Sequence, residues 1–86
     1  MFGWEMKGRR KRMVELAGMI KEVSTGSMEK LQEIIAKFAI KMGIKEEVAQ
    51  SYLDLFTKAK LVIIQHGEEN WKYNAEQELE IFGVNI

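Results

Sequence analysis

The chain contains no cysteine, which excludes a disulfide framework and any zinc site built on cysteine. It has a single histidine, His66, and one histidine without cysteine does not make an ordinary structural zinc site. His66 therefore reads as a strand-end side chain. No apolar run approaches the ~18 residues that a membrane span needs. The opening "MFGWEMKGRRKRMV" places charges where a signal peptide has its apolar region. A cytoplasmic protein with no membrane contact is the expectation. The phosphate-cradling, dinucleotide-binding and metalloprotease patterns are all missing from the chain. Ser51, His66 and Asp54 could in principle be assembled into a triad, but their spacing does not favour it. Glu68 with Glu69, and Glu76 with Glu78 and Glu80, read as solvated surface rather than as acid–base pairs. No catalytic residue, metal ligand or cofactor is expected, and no enzymatic activity.

What is present is one small domain. Eighty-six residues with 47% hydrophobic content are ordinary for a folded chain. A core of this size is marginal, so association with a second copy or dense helix packing would help it. The zero net charge conceals two opposed ends. Residues 1–12 hold Lys7, Arg9, Arg10, Lys11 and Arg12 against Glu5, a net +4. Residues 67–86 hold Glu68, Glu69, Glu76, Glu78 and Glu80 against Lys72, a net −4. The two ends attract opposite partners, or each other. The N-terminal run is either a solvated helix start or an arm for phosphates, and five cations within six positions exceed what solubility requires, which favours the arm.

Periodicity divides the chain. Met13, Leu16, Ala17, Ile20 and Val23 recur at three- and four-residue spacing and predict a helix over about 6–23. "STGS" (Ser24 to Ser27) breaks it, and Ser27 is an N-cap for the next helix, with Glu29 in its first turn. Leu31, Ile34, Ile35, Phe38, Ala39 and Met42 predict a second helix over 28–42, stopped by Gly43. Ala49, Tyr52, Leu53, Phe56 and Ala59, widened by Leu55 and bordered by Val48, predict a third over about 45–59. Its water-facing side is Lys45, Glu46, Glu47, Gln50, Ser51, Asp54, Thr57 and Lys58. "LVIIQH" (Leu61 to His66) then reads as a strand, "GEEN" as a turn and "WKYN" as the returning strand of a hairpin. A short helix over 75–82, stopped by Gly83, completes the chain. The expected fold is mainly α with a small β-hairpin, in one domain over 1–86. Its parts are the basic arm at 1–12, a helix-turn-helix at 28–59, a hairpin at 61–74 and a C-terminal segment at 75–86.

The segment "IAKFAIKMGIKEEVAQSYLDLFTKAKLVII" resembles the helix-turn-helix core of winged-helix DNA-binding domains, most of all small archaeal ones. The matching features are small Ala36 and Ala39, the turn and plug Gly43-Ile44, Ala49 with Tyr52-Leu53 and Leu55-Phe56, and the exit "AKLVII". The resemblance covers about residues 28–74. It implies a winged helix-turn-helix of three helices and a two-stranded wing, and DNA as partner. It also implies that Lys45, Glu46, Glu47, Gln50, Ser51 and Asp54 face the major groove. The wing, residues 66–72, would lie near the adjacent backbone.

The sequence departs from the family pattern in four places. Lys45 stands where an N-cap side chain is usual, and Lys60 where glycine commonly ends the helix. Glu46, Glu47 and Asp54 lie on the groove-facing side, and Glu68 and Glu69 at the wing tip. Phosphates repel those five acids, so cations must come from elsewhere. Lys7, Arg9, Arg10, Lys11 and Arg12 are the strong source and Lys30, Lys37 and Lys41 on the second helix the weaker one, while the wing offers Lys72. Lys45, Gln50 and Ser51 would meet base edges, and an acid such as Glu46 or Asp54 could read cytosine. The leading expectation is a DNA-binding transcriptional regulator. It would act as a homodimer presenting two arms and two recognition helices. Ile81, Phe82, Val84 and Ile86, next to Met19 and Ile20, would form the dimer surface. The alternative is a winged-helix interaction module whose acidic third helix and wing bind a basic protein. Phe2 and Trp4, beside the cations, would stack on bases or a partner, or pack on Leu79 and Phe82.

Overall fold

The computed structural model describes residues 2–65 and 69–83, with side chains at 8–65 and 69–82. The order of elements is α1 (Phe2–Val23), β1 (Thr25–Ser27), α2 (Met28–Met42), α3 (Glu46–Lys58), β2 (Val62–Ile64) and β3 (Asn70–Tyr73). A 3-10 turn, Ala75–Gln77, then leads into α4 (Glu78–Gly83). His66, Gly67, Glu68, Val84 and Ile86, and the side chains of Phe2, Trp4, Glu5, Met6 and Lys7, lie outside the described set.

Helix α2 begins and ends where local chemistry dictates. The Ser27 hydroxyl accepts from the backbone N–H of Lys30 at 3.2 Å, capping the first turn. At the other end Gly43 turns left-handed, with φ 66°. Its N–H reaches the carbonyls of Ala39 and Ile40, and that of Ile44 reaches Ala39 at 3.0 Å. These are the bonds that close a helix onto a glycine. Helix α3 closes the same way without one. Leu61 N–H bonds Phe56 O at 2.9 Å, Lys60 N–H bonds Thr57 O at 3.1 Å, and Lys60 takes φ 66°. Helix α1 also runs into a left-handed residue, Ser24 at φ 64°.

The sheet has three strands in the order β1-β3-β2, both pairings antiparallel. This corrects the expectation of a two-stranded hairpin with 24–27 as a plain break. Thr25, Gly26 and Ser27 stand opposite Lys72, Trp71 and Asn70. Three residues are too few for an alternating pattern to register, and the pairing partner lies far along the chain. Trp71 is fully buried in this sheet. Its indole N–H donates to Ser27 O at 2.8 Å, and its carbonyl accepts from the Thr25 hydroxyl at 2.7 Å.

The core lies between the helices and one sheet face. Leu16, Ile20, Leu31, Ile35, Phe38, Phe56, Leu61, Val62 and Trp71 form its closed centre. Phe38 and Tyr52 meet edge to face, ring centroids 6.0 Å apart. Ile44 fills the turn beneath α2 and α3, half-buried against this cluster. Ile20 and Ile81 are also buried in it. They are thus spent inside one chain, which corrects their expected place on a dimer surface; Val84 and Ile86 lie outside the described residues. Among the described residues no helix is long and apolar enough to cross a membrane.

Polar contacts fasten the helices at the rim. Lys41 reaches Glu15 at 2.6 Å, joining α2 to α1. Lys21 lies 3.6 Å from Glu78, joining α1 to α4, and the Tyr73 hydroxyl donates to the same carboxylate. Burial pushes the Tyr73 hydroxyl well above its ordinary range, and the Glu78 hydrogen bond and charge push it further the same way.

Candidate nucleic-acid interface

Helix α3 buries Ala49, Tyr52, Leu53 and Phe56 and turns the opposite side outward. Lys45, Glu46, Glu47, Ser51, Asp54, Thr57 and Lys58 are exposed, and Gln50 is half-exposed. The period of the apolar stripe alone dictates that division. The polar groups on this side are not all free, however. The Gln50 amide donates to Asp54 Oδ1 at 3.2 Å, one turn along. The Ser51 hydroxyl donates to Val48 O, and the Thr57 hydroxyl to Leu53 O. Reading a base with Gln50 therefore requires exchanging its bond to Asp54, whereas Ser51 keeps its acceptor lone pairs available.

The acids at the start of α3 have a structural cause. Lys45 occupies the N-cap position with extended backbone and makes no side-chain cap bond. The first N–H groups are thus left without a side-chain oxygen, and Glu46 and Glu47 in the first turn supply negative charge to the positive end of the helix. They have no ion-pair partner among the described residues.

The basic run lies in the N-terminal half of α1, ahead of Met13, the first described core position of that helix. Arg9 and Lys11 are exposed, and Arg10 and Arg12 are half-buried. Arg12 is not free: its Nη1 donates to the Tyr52 hydroxyl at 3.3 Å, tying α1 to α3. Arg9 reaches the same flank. It lines an open groove of about 380 Å³ with Val48, Ser51, Tyr52, Asp54, Leu55 and Lys58. The structure therefore brings Arg9 together with Ser51 and Asp54, and Arg12 against Tyr52. The Lys7 side chain lies outside the described residues.

The weaker cations scatter. Lys37 and Lys41 share the exposed side of α2, but Lys41 is held by Glu15. Lys72 is exposed on β3, between Thr25 and Ile63 in the sheet register. At the β2–β3 turn Glu69 is exposed, while His66 and Glu68 lie outside the described set.

Two groups escaped the list of candidate site residues drawn from the sequence. Lys58 stands four residues after Asp54 and seven after Ser51, so helical spacing alone could have included it. The Tyr52 hydroxyl, as acceptor for Arg12, carries no sequence signal, because the partners are 40 residues apart. Among the described residues no group of three His, Asp or Glu side chains gathers to hold a metal ion.

No family model matches the chain, and neither a curated protein nor a solved structure is similar enough to count as a relative.

Proposed function

We propose that the chain is a winged helix-turn-helix module that binds double-stranded DNA and regulates transcription, without a cofactor. The order α1-β1-α2-α3-β2-β3, with the left-handed turn at Gly43 between α2 and α3, supports the winged-helix reading. One observation carries the DNA reading: Arg9, in the basic start of α1, lines a groove with Ser51, Asp54 and Lys58 of α3. A cation of the arm thus stands beside the polar side of α3, next to Asp54.

In this reading Arg10 and Lys11, with Lys7, contact phosphates, and Arg12 positions α1 against α3. Lys45, Ser51 and Gln50 approach base edges in the major groove. Lys37 and Lys72 add to the phosphate contacts from outside the helix pair. A second copy would double the arms and the recognition helices.

A second reading has its own observation. Glu46 and Glu47 are exposed, and no cation pairs with them among the described residues. That acidic end of α3 suits a basic protein partner. One titration separates the two. The purified chain is mixed with a labelled random duplex of about 30 base pairs at about 50 and 200 mM salt, following anisotropy. Binding that weakens steeply with salt supports DNA. No binding at the lower salt overturns the DNA reading and leaves the protein partner.

A further inference from the structure

We infer that the groove between the start of α1 and the flank of α3 receives α4 from a second copy of this chain. The groove has an apolar floor, made by Val48, Tyr52 and Leu55, and cations on its two walls, Arg9 from α1 and Lys58 from α3. Both cations are exposed, and neither has a partner among the described residues. Val48 stands 38% exposed. The acid that lines the groove, Asp54, already accepts from the Gln50 amide.

Helix α4 is the complement of this groove. Leu79 is 83% exposed, one of the two most exposed large apolar side chains described. It is flanked by Glu76 in the preceding turn and by Glu80 beside it, both exposed. Neither carboxylate has a cation among the described residues, whereas Glu78, on the inner side, is held by Lys21 and Tyr73. An apolar knob between two acids therefore faces solvent, as does an apolar floor between two cations. Burying Leu79 on that floor removes both exposed patches at once, and the flanking charges set the register.

The chain cannot satisfy itself. Lys21 fixes α4 beside the C-terminal end of α1, and Arg9 lies about 18 Å up the same helix at its rise of 1.5 Å per residue. The α4 that fills the groove must come from another molecule. Every copy carries one knob and one groove, and the arrangement inferred is the one that leaves neither open, a two-fold pair that makes the contact twice. Ser51 also lines this groove, so in the dimer α4 covers it and base contact falls to Lys45 and Gln50; the test contains no DNA, and its failure is separate from that of the DNA reading.

The test is sedimentation equilibrium of the full chain across about 10–500 μM, at about 50 and 300 mM salt. The expected result is a dimer at low salt that weakens as salt rises. Leu79→Glu weakens self-association about tenfold or more. So exposed a residue is not needed for folding, and circular dichroism checks this. A charge exchange supplies the second arm. One chain carries Arg9→Glu and Lys58→Glu, the other Glu76→Lys and Glu80→Lys. Each alone is expected to be monomeric, and the mixture to form a one-to-one dimer. A monomeric wild type at low salt overturns the inference. So does a Leu79→Glu dimer as tight as wild type, or a mixture that stays monomeric.

Discussion

Replacing Lys60 by glycine should stabilise this protein. Lys60 sits at φ 66° in the motif that closes α3. A side chain in that region costs roughly 1–2 kcal/mol, because its Cβ crowds the following carbonyl. Among the described residues the exposed side chain makes no hydrogen bond or ion pair that would be lost. The bonds at this corner belong to the backbone. Lys60 N–H donates to Thr57 O, and Lys60 O accepts from the Asn74 amide at 3.2 Å. Both survive the substitution. Against the relief stands the extra freedom of glycine in the unfolded chain, about 0.4–1 kcal/mol. The net gain is about 0.5–1 kcal/mol, a rise in Tm of about 2–8 °C for a domain of this length.

The assay is urea denaturation followed by far-ultraviolet circular dichroism, comparing midpoints at constant slope. Two controls bracket it. Lys60→Ala keeps a Cβ at the same φ and should leave stability nearly unchanged. Gly43→Ala places a Cβ at φ 66° where no atom lies within 4 Å, so its cost is pure backbone strain, offset in part by the unfolded state. A loss of about 0.5–1 kcal/mol is expected there. If Lys60→Gly is neutral or destabilising at unchanged slope, the left-handed corner holds no strain and the argument fails.

Trp71→Phe removes the indole bond to Ser27 O and leaves a void at the closed centre of the sheet. A loss of about 2–3 kcal/mol in the same denaturation assay is expected, a large part of the stability of a small domain. Tyr73 keeps its proton in the folded state at pH values where the unfolded chain, with an ordinary value of 10.0, loses it. Its contribution is therefore complete below pH 10 and is lost as pH rises beyond it. The difference in stability between wild type and Tyr73→Phe should shrink from pH 9 to pH 12, and a constant difference would contradict the buried bond to Glu78. The double change Glu46→Gln with Glu47→Gln removes the charge that serves the uncapped start of α3. Thermal melts should show a loss of about 0.3–1 kcal/mol per site, while affinity for duplex DNA at low salt rises severalfold if α3 lies against phosphates. Unchanged affinity would place α3 away from the DNA.

Where order along the chain carried the signal, the sequence was legible. The range of α2, Met28–Met42, follows from six apolar residues on one stripe, a serine before it and a glycine after it. The outward side of α3 follows from its stripe in the same way. Even the unfavourable corner at Lys60 was readable, because a helix exit that commonly takes glycine here carries lysine. The bonds of Gln50 to Asp54 and of Ser51 to Val48 lie within one helical turn. Spacing permits them, but does not choose them over solvent.

The rest was decided by contacts between distant segments. Thr25–Ser27 becomes a strand because Trp71 offers it both a backbone ladder and an indole, and a three-residue stretch has no pattern of its own to announce this. Ile20 and Ile81 look like spare apolar surface until α4 folds back and buries Ile81 against the core. The basic run was visible as charge, yet its division was not. Arg12 goes to Tyr52, Arg9 to the groove, and Lys11 remains in solvent. Helical periodicity is a local property, written in residues three and four apart. Which face meets which, and so which charges stay free to bind, depends on how α1 lies across α3, and only the folded chain determines that.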